Sequence, residues 1–186
     1  MKYSGIVRTY LRKIRPKAQA ELSWFRDQPS LRAAVENAAL ARNSNGKRYN
    51  HQRRLPSAVL KEARRMLLND LAALKKADSF DELFTLVESR VRTIPGIGEL
   101  YVYDTSLRIG AKLNLLPDEV YLHAGVRKGA KALGLDSSAR TVRLSQIPRE
   151  FRKLEPHEIE DILCIFKAQL AKAHLTANFQ SRSWCS

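Results

Sequence analysis

The chain has 186 residues, of which 44% are hydrophobic and 28% are charged, a length that suffices for one globular domain or one domain with an appendage. It contains no run of 18 apolar residues and no signal-peptide core at its start, and its two cysteines have neither metal-ligand nor disulfide-framework spacing. We therefore expect a cytoplasmic protein with no membrane span, no metal site and no cofactor.

Positive charge is concentrated in the first third of the chain. The formal net charge is +14, and residues 1–65 hold 16 of the 33 Lys and Arg residues but only 4 of the 19 Asp and Glu residues. A concentrated field of this kind attracts polyanions and speeds their association. The distribution favours nucleic acid as the partner. The alternatives are an acidic membrane surface, an acidic protein, or a basic surface without a specific partner.

Residues 1–41 are predicted to form a basic N-terminal unit of three short, mutually packed helices. The first covers residues 3–14, with apolar side chains on one side and basic ones on the other. The second covers about 16–25, and the third covers 31–40. Alanines in the third helix would allow another helix to pack closely against it.

Residues 42–55 are predicted to form a loop, because turn-forming residues occupy positions 43–46. Lys and Arg side chains of such a loop can contact phosphates while the ring of Tyr49 stacks on an unpaired base. The basic residues of this loop are Arg42, Lys47, Arg48, Arg53 and Arg54. A solvated linker between two helical units is the alternative.

The longest helix is predicted over about residues 57–76, at the start of a helical core region that covers 56–175. Its apolar residues recur with helical spacing, and basic residues project from another side. We include Arg64 and Arg65 in the candidate site because they lie next to the basic loop in sequence. A basic helix face that only contacts solvent is the alternative.

The segment 80–114 is predicted to be a hairpin of two helices joined by a very short turn. Ser79 and Glu82 have the spacing of a capping box at the first helix. In the turn, a proline stops this helix, and Gly96 and Gly98 can adopt positive φ. The apolar stripe of the first helix consists of Phe80, Leu83, Phe84, Val87 and Val91.

The order hydrophobic-x-x-hydrophobic-Pro-Gly-hydrophobic-Gly from Val91 to Gly98 resembles the helix-hairpin-helix motif of sequence-independent DNA-binding proteins. In that family, backbone N–H groups of the hairpin and of the next helix N-terminus bind a phosphate. The resemblance covers residues 80–114 only and implies that Gly96 and Gly98 contact the DNA backbone. A tight turn that binds no ligand is the alternative.

Asp104 and His123 are weak candidates for catalysis. The Asp104-Thr105 pair resembles the segment that carries the catalytic aspartate of helix-hairpin-helix glycosylases, although here it lies much nearer to the hairpin. Asp104 with Arg108 also has the spacing of a simple i,i+4 helix pair. His123 also fits a packed or helix-capping histidine. Whether the chain is an enzyme therefore stays open.

Two further helices are predicted after the hairpin. One begins at Pro117 and ends near residue 134, and its Gly125 and Gly129 would let a neighbouring helix or a ligand approach the backbone closely. The last helix covers about residues 156–173.

Together these patterns predict an all-α protein, a compact multi-helix bundle that contains a helix-hairpin-helix-like hairpin and a basic N-terminal unit. Residues 176–186 are expected to form a polar tail. We expect the chain to bind nucleic acid, DNA in preference to RNA, through the phosphate backbone and largely independently of sequence. The alternatives are an enzyme acting on nucleic acid, of glycosylase, lyase or nuclease type, and a helical adaptor for an acidic protein.

Overall fold

The computed structural model describes residues 2–173, and most of these residues are helical, as the predicted all-α class requires. A small antiparallel sheet of two short strands is also present, which the sequence analysis did not predict. The predicted tail, 176–186, lies outside the described residues. The helices are α1 (Ser4–Lys13), α2 (Arg15–Arg26), α3 (Leu31–Ala39), α4 (Ser57–Asn69), α5 (Leu71–Lys75), α6 (Phe80–Val91), α7 (Glu99–Leu113), α8 (Ala124–Ala132) and α9 (Pro156–Ile165).

The described chain divides into two compact units. One combines residues 2–16 with 118–173, and the other is formed by residues 17–117. The predicted division at residues 41 and 55 does not coincide with these boundaries. The three N-terminal helices are therefore divided between the two units. α1 belongs to the unit that contains residues 2–16, α3 belongs to the unit of residues 17–117, and α2 begins just before the boundary between them.

In the unit of residues 17–117, α7 packs against α3 and α6, and α4 packs against α3 and α6. Ala34, Ala38 and Ala39 of α3 have no exposed surface, so their small side chains allow the close packing that the sequence predicted. The hydroxyl of Tyr101 on α7 donates a hydrogen bond to the carbonyl oxygen of Ala39 at 2.6 Å. This bond fixes the start of α7 against the end of α3.

The prediction of one continuous helix over residues 57–76 is wrong. The helix is interrupted at Asp70, whose φ of −104° and ψ of 18° are not helical, and α5 follows as a separate short helix. The Asp70 carboxylate pairs with Arg90 of α6 instead. Asn69 and Asp70 favour such a break because their side chains compete for backbone hydrogen bonds. The longest helix is α7, with 15 residues.

Residues 92–98 connect α6 to α7, so the connection is short, as predicted. The predicted cap of α6 is present, because the hydroxyl of Ser79 accepts a hydrogen bond from the N–H of Glu82 at 3.1 Å. The predicted capping box is incomplete, because the Glu82 carboxylate accepts from the N–H of Asp78 at 2.9 Å and not from that of Ser79. All five residues of the predicted apolar stripe of α6 are buried.

In the unit of residues 2–16 and 118–173, α9 packs against α1, α8 and strand β1 (Val120–Tyr121). The prediction that Pro117 begins a helix is wrong, since β1 pairs antiparallel with β2 (Thr141–Val142) and α8 starts only at Ala124. β-branched and aromatic residues in β1 suit a strand. The final predicted helix is interrupted at Phe166 before helical backbone resumes over 167–173.

The same unit is held by an apolar core and by buried polar pairs. The hydroxyl of Tyr10 donates to the carboxylate of Asp161 at 2.9 Å, and Arg15 pairs with Glu158 at 2.5 Å. α9 also approaches the backbone of α8, where a Cβ added to Gly129 would lie 2.1 Å from the Leu163 carbonyl oxygen. This close contact is the packing reason that the glycine spacing indicated.

Candidate functional site

The loop of residues 42–55 follows a defined path between α3 and α4. Arg42 and Arg48 form an antiparallel backbone bridge. Between them, the side-chain oxygen of Asn43 accepts two backbone N–H groups at 3.0 and 3.1 Å, as expected for an Asx-type turn. A short 3-10 helix, Asn50–Gln52, completes the loop.

A cluster of polar side chains attaches this loop to α7. The Oδ2 atom of Asp104 accepts from Gln52 Nε2 at 2.7 Å and lies 2.7 Å from His51 Nε2. Arg108, one turn further along α7, is 3.5 Å from the same oxygen and donates to Gln52 Oε1 at 3.3 Å. Gln52 and Arg108 are each only 3% exposed. Buried polar groups paired in this way favour an ordered loop over a solvated linker, because a linker needs no such partners.

The buried charge of Arg108 is compensated on two sides. Its Nε atom lies 3.4 Å from Glu21 Oε1 on α2, and Asp104 supplies the second carboxylate. The guanidinium carbon also lies 3.9 Å from the centroid of the Tyr49 ring, a cation–π geometry. Burial raises the pKa of Tyr49, and the nearby Arg108 charge only partly opposes this. Tyr49 therefore keeps its proton at neutral pH and presents an uncharged ring.

A cavity of about 440 Å³ opens between this loop and α2. Four basic residues lie in its wall, and Glu21 is the acidic residue there. Trp24 and Tyr49 add aromatic surface. The basic residues of the wall are Lys17, Lys47, Arg48 and Arg53. The cavity thus combines positive charge, aromatic rings and amide side chains.

The predicted phosphate-binding side chains fall into two groups. Four of them are exposed and make no side-chain hydrogen bond or ion pair within residues 2–173: Arg42, Lys47, Arg53 and Arg54. The other three have partners: Arg48 donates to the Leu55 carbonyl oxygen at 2.7 Å, Arg64 pairs with Glu36 at 2.7 Å, and Arg65 pairs with Glu62 at 2.5 Å. Arg64 and Arg65 are weaker candidates than the loop residues, because nearby carboxylates already offset their charge.

The hairpin turn places two buried side chains inward and two exposed glycines outward. Ile94 and Ile97 are buried, and the N–H of Ile97 donates to the Ile94 carbonyl oxygen at 3.2 Å. Gly96 has a φ of +91°, as predicted, whereas Gly98 has a φ of −106° and precedes α7 as its N-cap. Of the two glycines that could adopt positive φ, only Gly96 does so. An added Cβ would meet nothing within 4 Å at either position.

The two candidate catalytic residues occupy different environments. His123 is buried at the N-cap position of α8, where its side chain makes no capping hydrogen bond, and its Nε2 atom lies 2.6 Å from Glu160 Oε1, so it fits the packed histidine of the predicted alternatives. Asp104 holds His51, Gln52 and Arg108, so its carboxylate positions the loop. The i,i+4 pair with Arg108 that the sequence indicated is present, but it is the longest of these contacts.

The cavity wall also contains Lys17, Glu21 and Trp24, which were not predicted from the sequence. They occur at i, i+4 and i+7, a spacing that places them on one face of α2. That spacing was a usable signal, but it could not reveal that this face lies opposite the basic loop. Gln52 was also missed, since nothing local marks a loop glutamine as buried.

Within residues 2–173, no helix has the length and apolar character needed to cross a membrane, and no cluster of His, Cys, Asp or Glu side chains is arranged to hold a metal ion. Comparison of the chain with models of protein families, with curated proteins and with solved structures found no match. Function is therefore inferred from the geometry of the loop, the cavity and the hairpin.

Proposed function

We propose that the chain binds nucleic acid through its phosphate backbone, largely independently of sequence, with the loop of residues 42–55 as the main contact. The observation that carries this proposal is a set of exposed Lys and Arg side chains on an ordered loop around a polar cavity. Such side chains neutralise phosphates and release condensed counterions. A fixed loop loses less conformational entropy on binding than a mobile one.

The hairpin is the proposed second contact. Gly96 and Gly98 are exposed, and Gly98 leads into the N-terminus of α7, where backbone N–H groups and the helix dipole favour an anion. Asp104, which holds the loop, lies six residues beyond Gly98, or about 9 Å along the helix axis. Glu99 in the first turn of α7 would repel a phosphate, so we assign the hairpin a smaller share of the affinity than the loop.

DNA as the preferred nucleic acid and the cytoplasm as the compartment remain parts of the proposal that rest on the sequence alone. An adaptor for an acidic protein is the competing function, since the same Lys and Arg side chains would attract carboxylates. Nucleic acid is favoured because the cavity also presents Trp24 and Tyr49, and rings of this kind stack on bases.

The proposal is tested with the double variant Lys47→Ala/Arg53→Ala, whose binding to an oligonucleotide is followed by fluorescence anisotropy over a series of salt concentrations. We expect wild-type affinity to fall steeply with salt, because each neutralised phosphate contributes about −0.9 to the slope of log K against log salt. The double variant should bind at least about tenfold more weakly at low salt, with a slope reduced by about 2.

The matched control is Lys75→Ala/Lys76→Ala, which removes the same charge from exposed residues at the far end of α5. The whole of α4, 13 residues and about 20 Å long, lies between the loop and these lysines along the chain. We expect this control to bind within about twofold of wild type. Equal losses in the two variants would show that net charge alone drives binding, and a flat salt response of the wild type would favour the adaptor.

A further inference from the structure

We propose that the cavity between α2 and the loop of residues 42–55 binds one unpaired nucleotide, so that the chain prefers nucleic acid with an unstacked base to a continuous duplex. This inference rests on the proposed function, because the cavity belongs to the same basic surface. A volume of about 440 Å³ lies within the range of small-ligand sites. In a duplex, neighbouring bases cover both faces of each base, so a base enters a walled cavity only when it leaves the stack.

The wall of the cavity carries the groups that recognise a base. Trp24 is half-buried, and its ring is held edge-on against Phe25 with centroids 4.7 Å apart. Stacking on such a ring is tolerant of sequence, because every base has a π face. Asn45 and Asn50 are exposed at the same wall, and each amide offers both a donor and an acceptor to a base edge.

The same wall carries the charge that a phosphate requires. Lys17 and Lys47 are exposed lysines from opposite sides of the cavity, one on α2 and one on the loop, and Arg53 adds a third cation. The acidic residue of the wall, Glu21, has its carboxylate 3.4 Å from the buried Arg108 guanidinium, which offsets its charge. The cavity therefore keeps an excess of positive charge despite Glu21.

The cavity is built before a ligand arrives. Gln52 and Arg108 are buried. Gln52 donates a hydrogen bond to Asp104 and accepts one from Arg108, and these bonds hold the segment that carries Tyr49, Asn50 and His51. A preformed site of this kind avoids the cost of ordering side chains on binding. An acidic peptide would use the cations but would leave the aromatic and amide groups without a matching partner, so a nucleotide fits the wall better.

The test compares two DNA ligands, a perfect duplex and the same duplex with one unpaired central nucleotide. We expect wild type to bind the bulged duplex about tenfold more tightly, the effect of one stacked base. In a Trp184→Phe background, Trp24 is the sole tryptophan of the chain. Its fluorescence should be quenched by the bulged duplex and much less by the perfect one.

Two variants locate the preference in the cavity. Trp24→Leu keeps an apolar side chain but removes the aromatic face, and we expect it to reduce the preference for the bulged duplex to less than about twofold. Asn50→Ala is a second variant for the case that Trp24→Leu does not fold. It alters an exposed side chain, so the protein should stay folded. It should weaken binding of the bulged duplex selectively, because a base-edge hydrogen bond is lost.

The outcomes separate the two proposals. Equal wild-type affinity for the two duplexes, with a steep salt dependence, would overturn the cavity inference and leave the proposed function standing. A preference that survives in both variants would also overturn the inference. No binding of either duplex would overturn the proposed function itself. Tighter binding of a polyglutamate peptide than of the bulged duplex would assign the cavity to an acidic protein instead.

Discussion

At the scale of single residues, the two glycines of the hairpin turn have different physical roles. Gly96 has a φ of +91°, in the region that favours glycine, whereas the φ of −106° at Gly98 is open to any residue. Backbone strain therefore does not require glycine at position 98, where glycine serves as the N-cap of α7, and a Cβ there would meet nothing within 4 Å. A phosphate that approaches the backbone at this point would supply a functional reason.

This difference makes Gly98→Ala a clean test of the hairpin as a phosphate site. We expect the variant to lower the free energy of unfolding by no more than about 1 kcal/mol, measured by urea denaturation, because no backbone strain is introduced and alanine is only a poorer N-cap than glycine. If the N–H groups bind a phosphate, the added methyl group should reduce nucleic-acid affinity by about tenfold, the equivalent of one charge-assisted hydrogen bond.

Gly96→Ala is the contrasting variant. Its positive φ should lower the free energy of unfolding by about 1 kcal/mol whether or not a phosphate binds. Folded Gly98→Ala protein that binds as tightly as wild type, while the loop variant Lys47→Ala/Arg53→Ala does not, would mean that the hairpin is only a turn.

At the scale of secondary-structure elements, the sequence predicted what depends on local periodicity. The stripe of α6 is buried as expected because Phe80 and Leu83 begin a regular amphipathic pattern. The break at Asp70 was missed because the apolar spacing from Leu67 to Leu74 continues through it. Strand β1 was missed because a two-residue strand depends on its distant partner at residues 141–142.

Some features of the candidate site are visible in the local sequence, and others depend on contacts between distant residues. The basic composition of residues 42–55 is visible in the sequence, and so is the i,i+4 relation of Asp104 and Arg108. The contact of His51 with Asp104 joins residues 53 positions apart, and no local pattern specifies it. The cavity depends on α2 lying opposite the loop, a relation that only the folded chain defines.

The approach of α9 to α8 gives a prediction for element packing. A Cβ at Gly129 would lie 2.1 Å from the carbonyl oxygen and 2.8 Å from the Cα of Leu163, so the two backbones would have to separate. We expect Gly129→Ala to lower the free energy of unfolding by about 1–3 kcal/mol, as overpacking does. Urea denaturation of the full chain measures this loss.

The matched control is Gly5→Ala in α1, which belongs to the same unit. Gly5 is exposed, and an added Cβ would meet nothing within 4 Å, so alanine should raise the free energy of unfolding by about 0.5–1 kcal/mol through its better helix propensity. A Gly129→Ala variant as stable as wild type would mean that α8 and α9 can separate at no cost.

At the scale of the whole molecule, the fold redistributes the charge that appears polarised along the sequence. Residues 17–117 hold 17 basic and 11 acidic residues, and residues 2–16 with 118–173 hold 15 and 8. The excess of the first 65 residues is therefore shared between two units of similar net charge. Total charge does not single out a binding face, so the local arrangement around the loop carries the functional argument.

The unit of residues 2–16 and 118–173 contains two buried groups whose protonation opposes folding. His157 is buried at the start of α9, and burial lowers its pKa below the ordinary value of 6.5, despite the opposing charges of Glu158 and Glu155. Burial alone would raise the pKa of Glu158, but its hydrogen bonds with Arg15 and with the Glu155 N–H lower it. Both groups belong to the unit of residues 2–16 and 118–173.

The direction of these pKa shifts predicts that acid weakens this unit. In the window below about pH 6.5, the unfolded chain binds a proton at His157 that the folded chain resists, so the free energy of unfolding rises with pH and falls as the solution is acidified. The loss is limited to about 1.4 kcal/mol per pH unit for one histidine, and Glu158 adds a loss of the same sign below its ordinary value of 4.5.

The variant His157→Phe isolates the histidine contribution, because phenylalanine retains a ring at the buried position and cannot bind a proton. We expect hydrogen exchange in α8 and α9 to become faster between pH 7.5 and 5.5 in wild type, after correction for the intrinsic pH dependence of exchange. The increase should be smaller in the variant. At pH 7.5, a difference in stability between the variant and wild type reflects only the changed shape of the side chain, so this measurement controls for repacking. An equal acid-induced increase in the two proteins would show that His157 does not carry this pH dependence and that other groups of the unit do.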